Sequence, residues 1–435
     1  RRDALPRRGW DKLPARRAGR RDAERGGPSR PATTREFVPH GCAMMAGMTS
    51  FAEHVDATTI ETLRARASCK WATFPDALGA WVAEMDFGLA EPIAAALRRL
   101  DADLLYGYPN EAMLAALREA TAGYLGARYG WSVDPGTVAE VSDVLSGLGA
   151  VLSGYPDADA PVVVLTPCYM PFATIPQAFG RRLVQVPMAQ HGAGWVLDED
   201  ALAAALTPGA LLVLANPFNP LGKVWTRPEL ERLSALVDAA GARVFSDDIH
   251  APLTFPGHRH VPYASVSAAA GAHTITAVSA SKAWNLAGLK CAQLVFTNPA
   301  DQATWRKGAR RRAGEASNPG IAAGTAAYTE GGPWLADALD YLDRNRRLVA
   351  ERVPAEIRGA RVSDLQGTYL SWIDLRGAGL PGNPRTFFFD RAKVALTDGS
   401  LCGDAGRGFV RLNIATPTPI LAELLDRLAG AAASA

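Results

Sequence analysis

The sequence predicts an α/β fold: a large domain with a mostly parallel sheet flanked by helices, joined to a smaller α+β domain. Three observations lead there. Short, wholly apolar runs recur through the middle of the chain. Helical patterns separate them. Toward the C-terminus the pattern changes to a long helix followed by strand-like runs. Fully apolar strands alternating with helices mark a parallel sheet covered on both faces.

In chain order, residues 1–47 come first and differ from the rest. Arginine pairs (Arg1–Arg2, Arg7–Arg8, Arg16–Arg17 and Arg20–Arg21) are mixed with Gly and Pro, without apolar periodicity. The expectation is a disordered basic tail with no role in the fold. No apolar stretch follows its charges, as a secretory signal would require. Residues 48–90 are expected to form the N-terminal part of the small domain, and 91–330 the large domain. Within it Val162–Leu165, Leu211–Leu214, Arg243–Phe245, Thr274–Val278 and Ala292–Phe296 read as buried strands. Pro228 to Ala240 reads as a helix, with Thr226 as N-cap and Gly241 just past its end. Residues 331–435 complete the small domain: a helix from about Pro333 to Val353, strand-like Thr368–Ile373 and Gly408–Ile414, and a last helix from about Pro419.

Composition excludes several classes. With 46 Lys and Arg against 44 Asp and Glu, the net charge is only +2, so no global basic field points to nucleic acid. No apolar run approaches bilayer length. The five cysteines (Cys42, Cys69, Cys168, Cys291 and Cys402) are scattered and lack paired spacing. That argues against a disulfide framework and a metal cluster, and fits a reduced, cytoplasmic compartment.

The chemistry lies just past the strand ends, because open α/β sheets bind ligands beyond the carboxyl ends of their strands. After Leu165 comes Thr166-Pro167-Cys168-Tyr169. After Leu214 comes Ala215-Asn216-Pro217-Phe218-Asn219-Pro220-Leu221-Gly222. After Phe245 comes Ser246-Asp247-Asp248-Ile249-His250, and after Val278, Ser279-Ala280-Ser281-Lys282. An aromatic, an amide, a carboxylate and an amine at one sheet edge suit pyridoxal 5′-phosphate (PLP). That cofactor needs an amine for its aldehyde, a carboxylate at its pyridine nitrogen, and a ring partner.

In order, Asn219-Pro220-Leu221-Gly222, Ser246 to His250, Ser279 to Lys282 with Gly288-Leu289-Lys290, and Phe409-Val410-Arg411-Leu412-Asn413 resemble the fold-type I, class I/II aminotransferase family of PLP enzymes. Within it, three stretches resemble the cystathionine β-lyase (MalY/PatB-type C–S lyase) branch. They are Trp81-Val82-Ala83-Glu84-Met85-Asp86-Phe87 preceded by Lys70-Trp71, Asp247 to His250, and Gly367 to Asp374. The resemblance implies a set of roles. Lys282 forms the Schiff base and takes the substrate α-proton. Asp247 pairs with the pyridine nitrogen, Asn219 and His250 contact the phenolic oxygen, and Tyr169 stacks on the ring. Ser279 and Lys290 bind phosphate. Tyr108 reaches the phosphate of a neighbouring subunit, which implies a homodimer with shared active sites. Arg411 clamps the carboxylate of an amino-acid substrate. The implied activity is β-elimination from cystathionine or another cysteine S-conjugate, with an aminotransferase as the alternative. A PLP-binding regulator is a third reading, which the absence of a helix-turn-helix pattern in residues 1–47 disfavours.

The sequence departs from the family at Phe218, Leu221, Asp248 and Pro252. The expected phosphate loop, Val141-Ser142-Asp143-Val144-Leu145, is poor in Gly and carries an acid.

Overall fold

The computed structural model describes residues 50–155 and 159–435, so the tail expected over residues 1–47 lies outside the described residues. The centre is a seven-stranded sheet. Its strands are β1 (Val138–Val141), β2 (Val162–Thr166), β3 (Leu183–Pro187), β4 (Leu211–Ala215), β5 (Arg243–Asp247), β6 (Thr274–Val278) and β7 (Ala292–Phe296), in the spatial order β1-β7-β6-β5-β4-β2-β3. Strands β3, β2, β4, β5 and β6 run parallel, and β7 is antiparallel to both neighbours. Four of the five strands read from the sequence (β2, β4, β6 and β7) are buried at every residue, which is why they stand out as unbroken apolar runs. Edge strand β3 has a single buried residue, Val186, among exposed and half-buried ones, and β1 is only four residues long. Neither gave an apolar run to read.

The helix after β4 spans Arg227–Ala239. Thr226 caps it, Glu229 reaches back to complete a capping box, and Gly241 follows at φ +62°. A second sheet, antiparallel, is built from β8 (Arg361–Val362), β9 (Leu370–Asp374), β10 (Thr397–Asp398) and β11 (Phe409–Asn413), ordered β8-β9-β11-β10. The long helix Gly332–Glu356 and the final helix Thr418–Ala433 cover it. Strand β9 starts at Leu370, two residues later than read, because Thr368 takes a left-handed backbone at φ +69°.

Two large buried clusters form the core. One is centred on Val163, Leu212, Phe245 and Ile275. The other packs Val55, Leu63 and Trp71, from short N-terminal helices, with Leu342, Val349, Tyr369 and Leu412. A two-residue strand, Leu78–Gly79, pairs with Val394–Ala395 and delivers the chain to Trp81.

The segment Trp81–Asp86 is then fixed by a buried ion pair. Lys70 Nζ donates to Asp86 Oδ2 at 2.7 Å and to the carbonyl of Ala415 at 3.1 Å, while Trp71 Nε1 donates to Asp86 Oδ1 at 3.0 Å. Lys70 is fully buried. Removing one partner of such a pair leaves the other charge uncompensated. Lys70→Ala should therefore cost about 3–5 kcal/mol, read as a lower urea midpoint at unchanged slope.

Candidate active site

Strands β2, β4, β5 and β6 are neighbours, and their carboxyl ends lead to Tyr169, Asn219, Asp247 and Lys282 in turn. Asp247 is the last residue of β5. Its buried carboxylate accepts the backbone N–H of Ile249 at 3.1 Å. Burial pushes this carboxyl up to about 7; the Ile249 N–H opposes that shift and the Asp248 charge adds to it. Asp248 points the other way, bonded to Ser246 Oγ and 3.0 Å from His260 Nε2. The two acids therefore serve different faces of the sheet end.

The Asn219 loop is a tight turn. Gly222 adopts φ +72° and its N–H reaches back to the carbonyl of Phe218 at 2.7 Å. A Cβ at Gly222 would collide with Leu365, so the close approach needs glycine. The Gly222 carbonyl accepts from Gln366 and Gly367, both at 2.9 Å, which joins this loop to the approach of β9.

Lys282 is half-buried, and its Nζ donates to the carbonyl of Ala83 at 3.1 Å. Burial brings its amine down to about 8. The positive charges of Arg411 and Lys290 act in the same direction, while Glu84 and Asp247 oppose them. The same Ala83 carbonyl accepts from Tyr369 Oη at 3.0 Å. Arg411, on β11, donates to Asn219 Oδ1 at 3.0 Å, to the carbonyl of Trp81 at 3.1 Å and to Thr397 Oγ1 at 3.3 Å. Its Nε is buried with no hydrogen-bond partner among the described residues. His250 packs edge-on to Tyr369 and has a buried Nδ1 with no such partner. Burial holds its imidazole well below the ordinary value, with Lys282 and Arg411 adding to the effect, so it is neutral at physiological pH.

Four other residues singled out from sequence range from buried Ser279 to exposed Tyr108. Tyr169 stands at the start of the helix Met170–Ala178 and packs edge-on against Phe172. Ser279 Oγ donates to the carbonyl of Cys291 at 2.7 Å and accepts the N–H of Ser281 at 3.1 Å. Lys290 Nζ is bonded to Asp143 Oδ2 at 2.9 Å. Tyr108 is 92% exposed, beside exposed Leu104 and Tyr106, on a loop whose Leu105 and Gly107 carbonyls are tied to Asn318 Nδ2.

Sequence reasoning missed the strap. The carbonyls of Trp81, Val82, Ala83 and Glu84 are gripped by Arg411, Thr397, Asn413, Lys282 and Tyr369, and Asn285 brackets the backbone of Met85. The signal was present in the Trp81–Phe87 stretch, but backbone carbonyls carry no sequence signature.

The donor set fits PLP. It offers an amine of lowered basicity, a buried carboxylate that a cationic ring nitrogen would keep ionised, and a neutral imidazole with an orphan nitrogen. Asn219 has its oxygen committed to Arg411, so its Nδ2 is the donor it can offer.

The chain belongs to the aminotransferase class I and II family, whose model matches residues 82–428. It is 34% identical over 374 residues to a cystathionine beta-lyase of Corynebacterium glutamicum, covering 85% of this chain and 98% of the relative. Among solved structures it resembles a protein described as a PLP-dependent beta-cystathionase from Corynebacterium diphtheriae. The TM-score is 0.82 at 36% identity, over 86% of this chain and 98% of that one. A PLP-bound C-S lyase from Staphylococcus hominis matches with TM-score 0.79 at 27% identity, over 88% and 99% of the two chains. Among the described residues no helix is long and apolar enough to cross a membrane.

The raised Asp247 value sets a pH test. Its carboxyl ordinarily titrates near 3.8 and here near 7. The native fold therefore carries no penalty from it below 3.8 and loses stability as pH rises from there through 7. Cofactor-free Asp247→Asn should melt above the cofactor-free parent at pH 8, with the gap closing toward pH 4 in thermal scans.

Proposed function

We propose that this chain is a PLP-dependent C–S β-lyase that cleaves cystathionine or a related cysteine S-conjugate to a thiol, pyruvate and ammonia. The observation that carries the reading is the half-buried amine of Lys282, held by the Ala83 carbonyl at the strand end next to Asp247's and lowered in basicity with the Arg411 charge contributing. The relatives' names support the same chemistry.

Lys282 is the amine that would hold the cofactor's aldehyde. Asp247 would face its ring nitrogen, Asn219 and His250 its phenolic oxygen, and Tyr169 its ring. Lys290 and Ser279 lie on the phosphate side. When bound, PLP supplies an electron sink for the pair left at the substrate Cα.

The protein's own groups do the rest. Arg411 meets the substrate carboxylate with a planar fork already held by Asn219 and the Trp81 carbonyl, so little ordering remains on binding. That grip turns the Cα–H toward Lys282. An amine near 8 is substantially neutral around pH 7.5 to 8, and so can take the α-proton at Nζ. The Cβ–S bond then breaks and the thiol leaves. The released enamine hydrolyses to pyruvate and ammonia.

The chain acts as a homodimer in this reading. Tyr108, exposed with Leu104 and Tyr106, reaches the phosphate side of a second copy's site.

Purified protein should form pyruvate from L-cystathionine with no keto acid added, and Lys282→Ala should form none. Conversion that proceeds only with an added keto acid would make the chain an aminotransferase instead. Arg411→Lys removes the fork but keeps the charge. It should raise KM roughly ten- to a hundredfold, the worth of one or two charge-assisted hydrogen bonds, measured by steady-state kinetics.

A further inference from the structure

The mechanism above does not use the acid in the phosphate loop. Asp143 precedes the helix Val144–Gly154 as its N-cap. Oδ1 accepts the Ser146 N–H at 2.8 Å and Ser146 Oγ at 2.9 Å, and Oδ2 accepts Lys290 Nζ at 2.9 Å. The side chain thus occupies both features that attract an anion: the first turn of a helix and a lysine. The pair is tied to the strand end that carries Lys282: Ser279 Oγ, three residues before Lys282, donates to the carbonyl of Cys291, the residue after Lys290, at 2.7 Å. Burial alone would push the Asp143 carboxyl up. The hydrogen bonds from Lys290 and Ser146 outweigh it and hold the group below its ordinary value, so it is ionised at neutral pH.

We propose that Asp143 is a cofactor-exchange residue: its carboxylate neutralises Lys290 and caps the helix, so an arriving phosphate must compete with it and the chain binds PLP reversibly. The proposal rests on the reading of this site as a PLP site. The charge count supports it. A phosphate monoester brings about −1.5 to −2 near pH 7. Lys290 and Asp143 form an ion pair at 2.9 Å, so the carboxylate weakens the lysine's pull on that phosphate.

Alternatively, Asp143 could be a helper that aims Lys290 at the phosphate. The two roles predict opposite signs. Asn at this position keeps an oxygen for the Ser146 N–H, so the cap survives while the charge goes. The experiment tracks PLP release from diluted holoenzyme through its visible absorption, with the equilibrium affinity measured by dialysis, for the parent and Asp143→Asn. Pyridoxal, which lacks the phosphate, serves as control. Asp143→Asn should bind PLP at least about tenfold more tightly and release it correspondingly more slowly, since removing a repelling charge acts on the phosphate. Its pyridoxal affinity should not change. Adding Lys290→Met to Asp143→Asn should then loosen PLP, because Lys290 is freed for the phosphate in the single variant. Equal or weaker PLP binding by Asp143→Asn overturns the proposal while leaving the PLP reading intact. Absence of PLP binding by parent and variant alike would sink both. A melting temperature for Asp143→Asn near that of the parent shows that the comparison is between folded proteins.

Discussion

The site depends on one buried guanidinium. Arg411 comes from the second sheet, yet its hydrogen bonds go to the Asn219 loop of the central sheet, to the Trp81 carbonyl of the N-terminal strap, and to Thr397 on a neighbouring strand. A buried cation is tolerated only where such partners satisfy it. Three separate parts of the chain must therefore converge before Arg411 can be where it is. The same convergence places Ala83 against Lys282 and leaves the guanidinium Nε without a hydrogen-bond partner among the described residues. In the proposed reading the same residue serves both folding and substrate recognition.

A second constraint is the balance of charge in a closed space. Asp247 is buried and Lys282 half-buried, and the loss of solvent moves their titrations toward each other, down to about 8 for the amine and up to about 7 for the carboxyl. A cationic ring nitrogen beside Asp247 would relieve the carboxylate, and an aldehyde on Lys282 would remove the need to protonate the amine. Each group is costly alone and suited to one partner. His250, held neutral nearby, adds no charge to this balance. Lys70 and Asp86 show the other solution, a cation and an anion that satisfy each other, and they are used where the chain needs anchoring rather than chemistry.

Much of this was legible in the sequence, for physical reasons. Strands β6 and β7 were readable to the residue because both faces are covered and apolar side chains dominate them. The helix after Thr226 announced itself through its cap. That Tyr169, Asn219, Asp247 and Lys282 follow the ends of neighbouring strands was readable from their positions just past the apolar runs. The features that stayed hidden depend on backbone or on long-range pairing. The strap of carbonyls at Trp81–Glu84 has no side-chain signature. Edge strands β1 and β3 lack the apolar run that burial on both faces produces. Asp143 was visible as an acid out of place, but its hold on Lys290 spans 147 positions and is a fact of the fold.

That Lys282 carries the cofactor is the central claim, and chemical trapping tests it most directly. Holoenzyme would be reduced with borohydride, digested, and searched by mass spectrometry for a phosphopyridoxyl group on lysine. The group should be fixed on the peptide containing Lys282, and the label should be lost in Lys282→Ala. A label on Lys290, Lys70 or any other lysine, or no label on a protein that still forms pyruvate, would contradict it.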